Sequence, residues 1–143
     1  MRFLVFMIPG VHSTELAERM LEPKNGKQTD SDFKSVAEEM AKMGKFNDEL
    51  SKAGALLSVD GLLPLKSGAR LAFSGGKASV TDGPFIETKE VVGGYWILEA
   101  KSKQQVVDWM KRCPAQADDV IEIRQIAEMS DFPPDVQAAT RGS

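Results

Sequence analysis

The order strand, helix, strand, hairpin, strand, helix, strand predicts an α+β domain of the ferredoxin-like class, a split βαβ arrangement with a β-hairpin inserted in it. Three observations lead to that order. Residues 2–8 are apolar on both alternating faces, as a central strand covered on both sides would be. Apolar residues from Phe33 to Leu50 recur at steps of three and four. Finally, Gly75-Gly76 sits between two short alternating segments and can supply the positive φ angles that a two-residue hairpin turn demands.

The first strand is Arg2-Phe3-Leu4-Val5-Phe6-Met7-Ile8, closed by Pro9 and followed by the loop Pro9-Gly10-Val11-His12-Ser13. The first helix spans Phe33 to Leu50, with Phe33, Val36, Ala37, Met40, Met43, Phe46 and Leu50 as its apolar stripe. Asp30 or Ser31 is available as its N-cap and Gly54 as its C-terminal stop. Its methionines read as core filling. Ala55 to Val59 forms the second strand, with Asp60-Gly61 as its exit turn. Arg70–Phe73 and Lys77–Val80 form the hairpin, which delivers the chain into Asp82. Gly93 to Glu99 is the next strand, and Ser102-Lys103-Gln104-Gln105 fits a capping box at the start of a helix. Val106, Trp109, Met110 and Cys113 form its buried stripe, and Pro114 ends it. Val120 to Ile126 is the last strand, with Glu122 and Arg124 on one face and Ile121 and Ile123 on the other. Residues 1–126 therefore constitute the domain, and 127–143 are expected to run as an extended C-terminal tail that could cross a dimer. The closing Arg141-Gly142-Ser143 resembles the remnant of an expression tag.

Composition narrows the functional classes. A chain of 143 residues is most simply one domain, long enough to bury a core without disulfides or metals. With 42% hydrophobic and 27% charged residues, it has an ordinary soluble composition. A net charge of −3 argues against a direct nucleic-acid surface, where a basic excess is expected. The apolar opening before Pro9 is too short for a membrane span or a signal-peptide core. The one cysteine, Cys113, excludes an internal disulfide, so a cytoplasmic location is expected. One histidine, one cysteine and scattered carboxylates lack metal-ligand spacing, and no cofactor is expected. Ser74-Gly75-Gly76-Lys77 places glycine beside lysine, yet no helix follows as a phosphate loop requires, so it reads as a turn.

Chemistry concentrates in residues 81–90, Thr-Asp-Gly-Pro-Phe-Ile-Glu-Thr-Lys-Glu. Pro84 fixes its own φ and pushes Gly83 away from helix, and Phe85 is a large apolar anchor beside a turn. If the chain runs extended after Phe85, Glu87 and Lys89 share one face while Ile86, Thr88 and Glu90 share the other. Asp82, Glu87 and Glu90 are carboxylates that a partly apolar pocket beside Phe85 and Trp96 could shift toward neutral pH. The simpler reading is an Asx-turn at Asp82 and a surface ion pair between Glu87 and Lys89. Arg70 reads as edge-strand decoration or as an anion contact. His12 reads as a solvated loop side chain and Cys113 as packing.

Asp82-Gly83-Pro84-Phe85, Glu87-Thr88-Lys89-Glu90 and Gly93-Gly94-Tyr95 resemble the DGPF subgroup of the YCII-related proteins. Lys52-Ala53-Gly54-Ala55-Leu56-Leu57, Asp60-Gly61-Leu62, Arg112-Cys113-Pro114 and Ile121-Glu122-Ile123-Arg124 extend the similarity to roughly residues 1–130, with His12 to Thr29 the least typical part. The resemblance implies a ferredoxin-like fold paired into a homodimer whose two sheets face each other as an α+β barrel. A sheet with helices on one face needs cover on the other, which agrees with that pairing. Some YCII-related enzymes are thought to use a His and Asp pair, but the surroundings of His12 do not match that histidine motif and no role is carried onto it.

Two functional classes follow. In the first, the protein binds an unidentified small molecule at the DGPF loop through Pro84, Phe85, Glu87, Thr88, Lys89, Tyr95 and Trp96. The resemblance adds a functional link to an extracytoplasmic-function sigma factor, since DGPF-type proteins are often encoded near one. In the alternative, it is a cofactor-independent acid–base enzyme, lyase, isomerase or dehydrochlorinase-like, with Asp82 as the proton-transfer group and Glu87 and Lys89 orienting substrate.

Overall fold

The computed structural model describes residues 1–21, 29–83 and 91–141. Its organising element is β1 (Arg2–Ile8), which pairs antiparallel along both edges. On one side lies β5 (Gly94–Glu99), with Arg2 opposite Glu99 and Met7 opposite Gly94; on the other lies β6 (Val120–Gln125), with Phe3 opposite Gln125 and Ile8 opposite Val120. The strand β2 (Leu56–Gly61) adds outside β5, giving the order β2-β5-β1-β6. Each neighbouring pair is antiparallel, and both helical crossovers skip one strand, as the split βαβ arrangement requires. The domain is ferredoxin-like, with a separate hairpin of β3 (Ala69–Ser74) and β4 (Lys77–Asp82) inserted between β2 and β5.

One face of the sheet is covered by α2 (Asp30–Lys52) and α3 (Lys103–Met110). Because strand side chains alternate, Phe3 and Val5 of β1 and Trp96 and Leu98 of β5 point into that layer and are buried. They meet Phe46 and Leu50 of α2 and Val106 and Met110 of α3 in one core. Phe46 and Trp96 pack edge to face, centroids 6.4 Å apart and planes at 87°. The Trp96 indole Nε1 donates to Asn47 Oδ1 at 2.8 Å, which satisfies its polar atom.

Helix α2 begins with Thr29 as N-cap rather than Asp30 or Ser31. Its hydroxyl accepts from the Asp32 backbone N–H, while the Asp32 carboxylate accepts from the Thr29 backbone N–H in a reciprocal box. At the other end, Ala55 N–H reaches Leu50 O and Gly54 N–H reaches Ser51 O, a Schellman closure that turns the chain into β2. The hairpin turns as expected: Gly75 and Gly76 have φ of 57° and 78°, a conformation costly for residues with a Cβ.

Four other expectations differ from the structure. The loop after β1 contains a helix, α1 (Val11–Leu21), which buries Leu16 and carries the exposed His12 in its first turn. Asp60 and Gly61 continue β2 instead of leaving it, because Tyr95 and Gly94 of β5 lie opposite to pair with them. Helix α3 ends at Met110, so Cys113 follows in tight turns rather than on the helical stripe. The C-terminal segment does not run extended: a 3₁₀ turn over Met129–Asp131 precedes α4 (Pro134–Arg141). Proline at the first position of a helix loses no intrahelical hydrogen bond, so Pro133-Pro134 begins a helix here.

The opposite sheet face carries Leu4, Phe6 and Ile8 of β1 with Tyr95 and Ile97 of β5, flanked by Asp60 on one side and Glu122 and Arg124 on the other. Leu98 is fully buried and central to the core. Leu98→Ala should lower unfolding free energy by about 2–5 kcal/mol. Urea denaturation measures it, and a loss below about 1 kcal/mol would contradict this packing.

Candidate functional site

A cleft of about 530 Å³ opens beyond the end of β1. Met7 and Pro9 form its base, and Ser13, Thr14, Ala17 and Glu18 of α1 form one wall. The loop Leu62, Leu63, Pro64, Leu65 and Lys66 lines it as well, together with Val91, Val92 and Gly93 immediately before β5. The lining is mainly aliphatic, and among the described residues Glu18 and Lys66, both exposed, bring its charge. Leu62 and Leu63 are 48% and 63% exposed, so the concavity offers apolar surface to whatever enters it.

Backbone hydrogen bonds hold these walls together. Gly93 N–H donates to Met7 O at 2.8 Å, and Leu62 N–H donates to Gly93 O at 2.9 Å. The approach leaves no room for a side chain, since a Cβ on Gly93 would come within 2.9 Å of the Pro9 ring. Gly83 N–H donates to Gly68 O at 2.9 Å, and a Cβ there would overlap the Leu65 carbonyl. Residues on both flanks of 84–90 thus pack against the cleft: Gly83 on its Leu65 wall, and Val91 within its lining.

The α1 wall has a second attachment. Asp119 Oδ1 accepts from the Gly10 backbone N–H at 2.8 Å and from Ser13 Oγ at 3.0 Å, while Oδ2 accepts from the Gln116 backbone N–H at 2.8 Å. One half-buried carboxylate therefore joins the β1–α1 turn to the loop before β6. Asp118, immediately before it, has φ of 68°, in the left-handed region that Asp tolerates better than most residues. Sequence reasoning missed Asp119 because its partners Gly10 and Ser13 lie more than a hundred positions away; the local signal was the Asp118-Asp119 pair at the entry to a strand.

The residues expected to form a site are not all brought together. Asp82 is exposed and ends β4 opposite Ala69, with no place in the cleft lining. Tyr95 and Trp96 fall on opposite faces of β5, as adjacent strand residues must. Tyr95 lies on the open sheet face, where its hydroxyl donates to Asp60 Oδ2 at 3.0 Å. Trp96 is 3% exposed in the core, which corrects its expected place beside a ligand. Pro84, Phe85, Glu87, Thr88 and Lys89, with Glu90, lie outside the described residues. Among the described residues no group of three or more His, Cys, Asp or Glu side chains is arranged to hold a metal ion, and no helix is long and apolar enough to cross a membrane.

Cys113 is half-buried. Burial, with a smaller contribution from the nearby Asp119 charge, pushes its thiol up to about 11.

The family model of the YCII-related domain matches residues 19–130. An uncharacterized protein of Rhizobium meliloti (strain 1021) is 37% identical over 60 residues, which cover 42% of this chain and 48% of that one. The matched stretch thus spans about half the length of that relative. Among solved structures, the chain has a loose likeness to 5-chloro-2-hydroxyhydroquinone dehydrochlorinase (TftG) from Burkholderia phenoliruptrix AC1100 in complex with 2,5-dihydroxybenzoquinone. That likeness has 16% identity and a TM-score of 0.40, covering 91% of this chain and 98% of that one.

Burial suppresses ionisation of the Cys113 thiol. Thiolate is the reactive form and grows only as pH rises toward 11, so at pH 8 roughly one Cys113 in a thousand is ionised. Ellman's reagent at pH 8 should react with the folded protein at least tenfold more slowly than with the urea-unfolded chain. Equal rates would show that Cys113 is neither shielded nor shifted.

Proposed function

The chain belongs to the YCII-related domain family, and on that premise we propose that it is a small-molecule-binding protein whose ligand occupies the cleft between α1 and the Leu62–Lys66 loop. The observation that carries this reading is the cleft itself. It is large enough for a compact organic molecule, lined by aliphatic side chains, and framed by backbone hydrogen bonds that fix its walls before a ligand arrives. Gly83 packs on its Leu65 side and Val91 lies in its lining, and these neighbours in sequence of residues 84–90 support the reading.

Within this reading, Pro84, Phe85, Glu87, Thr88 and Lys89 are proposed ligand contacts on the strength of their position in sequence next to the lining residues Val91 and Val92. Assignment to the DGPF subgroup, a cytoplasmic location and a functional link to an extracytoplasmic-function sigma factor are proposals that rest on the resemblance of those motifs. Catalysis by a carboxylate such as Asp82 draws less support, because that side chain is exposed at the end of β4.

We also propose that the partner is a second copy of this chain, packed sheet to sheet. Leu4, Phe6, Ile8, Tyr95 and Ile97 form an apolar stripe on the sheet face away from α2 and α3, and covering such a stripe is favourable at about 25 cal/mol per Å².

Two experiments test these statements. Wild-type protein should enhance the fluorescence of 8-anilinonaphthalene-1-sulfonate, and Ala17→Trp, which fills the cleft from α1, should weaken that probe's binding at least tenfold with the melting temperature preserved. Unchanged binding would place the probe elsewhere and sink the cleft reading. For the assembly, light scattering should give the dimer mass for wild type and the monomer mass for Phe6→Lys; a monomeric wild type at tens of micromolar overturns the pairing.

A further inference from the structure

Ser13 faces two ways, lining the cleft while its hydroxyl reaches Asp119. The direction of that hydrogen bond is set by the other partners of the carboxylate. Asp119 Oδ1 already accepts from the Gly10 backbone N–H at 2.8 Å, and Oδ2 accepts from the Gln116 backbone N–H at 2.8 Å. With an N–H on each oxygen, the carboxylate acts as an acceptor throughout, so the 3.0 Å contact is Ser13 Oγ–H donating to Asp119. The serine proton is thereby committed, and what Oγ has left to offer is its lone pairs.

From this we infer that Ser13 presents a hydrogen-bond acceptor on the cleft wall, and that the site selects an apolar molecule carrying a hydroxyl or amine donor over the same molecule without one. The inference rests on the cleft being the ligand site. Asp119 is the positioning residue: it orients the Ser13 hydroxyl and, through Gly10, holds the first turn of α1, where Thr14 N–H also returns to Gly10 O at 3.0 Å. Donation to a carboxylate also polarises the O–H bond, which makes the oxygen a better acceptor than a free serine. A site whose polar group is fixed as an acceptor discriminates more sharply than one whose hydroxyl can rotate to suit either kind of ligand. Glu18 and Lys66 sit exposed on the lining and can contribute affinity, but their hydrated, mobile side chains fix no such direction.

The test compares 1-naphthol with 1-methoxynaphthalene, two fluorescent probes of nearly equal shape that differ in the donor. Wild type should bind the naphthol about tenfold more tightly, the worth of one well-placed hydrogen bond. Ser13→Ala should bring the two affinities within about twofold of each other. Asp119→Ala should do the same, whereas Asp119→Asn, whose amide oxygen can still accept from Gly10 and Ser13, should keep most of the preference. That rescue separates positioning from a general loss of stability, which would weaken both probes equally. If wild type binds both probes alike, or if Ser13→Ala keeps the tenfold preference, the acceptor assignment is wrong while the cleft stands. If neither probe binds, or if Ala17→Trp leaves both unaffected, the cleft reading fails and this inference fails with it.

Discussion

The structure depends on β1 being hydrogen-bonded along both edges. A strand paired on both sides satisfies its backbone N–H and C=O groups within the sheet, so it can be buried without polar cost. It then fixes two things at once. Phe3 and Val5 go beneath the helices, and Leu4, Phe6 and Ile8 go to the other face, because a one-residue slip would invert every side chain. Where β1 stops at Ile8, Pro9 brings no N–H to continue the ladder, and the connections on either side must diverge. The cleft is the space left by that divergence.

Its walls are set by different physics from its lining. Gly93 ties β1 to the Leu62 loop through backbone bonds, and Asp119 ties the β1–α1 turn to the loop before β6 through a carboxylate. The described lining is mainly aliphatic and, Ser13 apart, carries little directional preference of its own. At the other end of the sheet, Arg2 meets Glu128 in a two-pronged ion pair at 2.6 and 3.0 Å, which fastens the start of β1 to the segment after β6. Exposed as it is, that pair contributes register more than stability.

Much of the fold was legible because local pattern and tertiary role agree. The three–four spacing of α2, the double glycine of the hairpin and the alternation of Glu122 and Arg124 against Ile121 and Ile123 each describe a surface that the fold then uses. Legibility failed where the pattern was short. Helix α1 has little more than Leu16 to bury, and a few apolar residues in a polar run carry no usable period. Asp60-Gly61 has the composition of a turn, yet pairing with β5 holds it in the sheet. The cleft itself was not legible: Ser13, Ala17, Leu63 and Asp119 carry no motif at all, and they come together only through tertiary contacts.

The sequence alone determined the order of the strands and of the two helices that cover the sheet, the sheet's buried faces and the family, because those are written in spacings of two, three and four residues and in short contiguous motifs. Only the tertiary structure decided where a ligand could sit and which way a hydroxyl points. Tyr95 and Trp96 are neighbours in sequence and end on opposite sides of a sheet; Ser13 and Asp119 are far apart in sequence and end 3.0 Å from each other. A functional surface depends on such distances in space, and they exist only after the chain has closed.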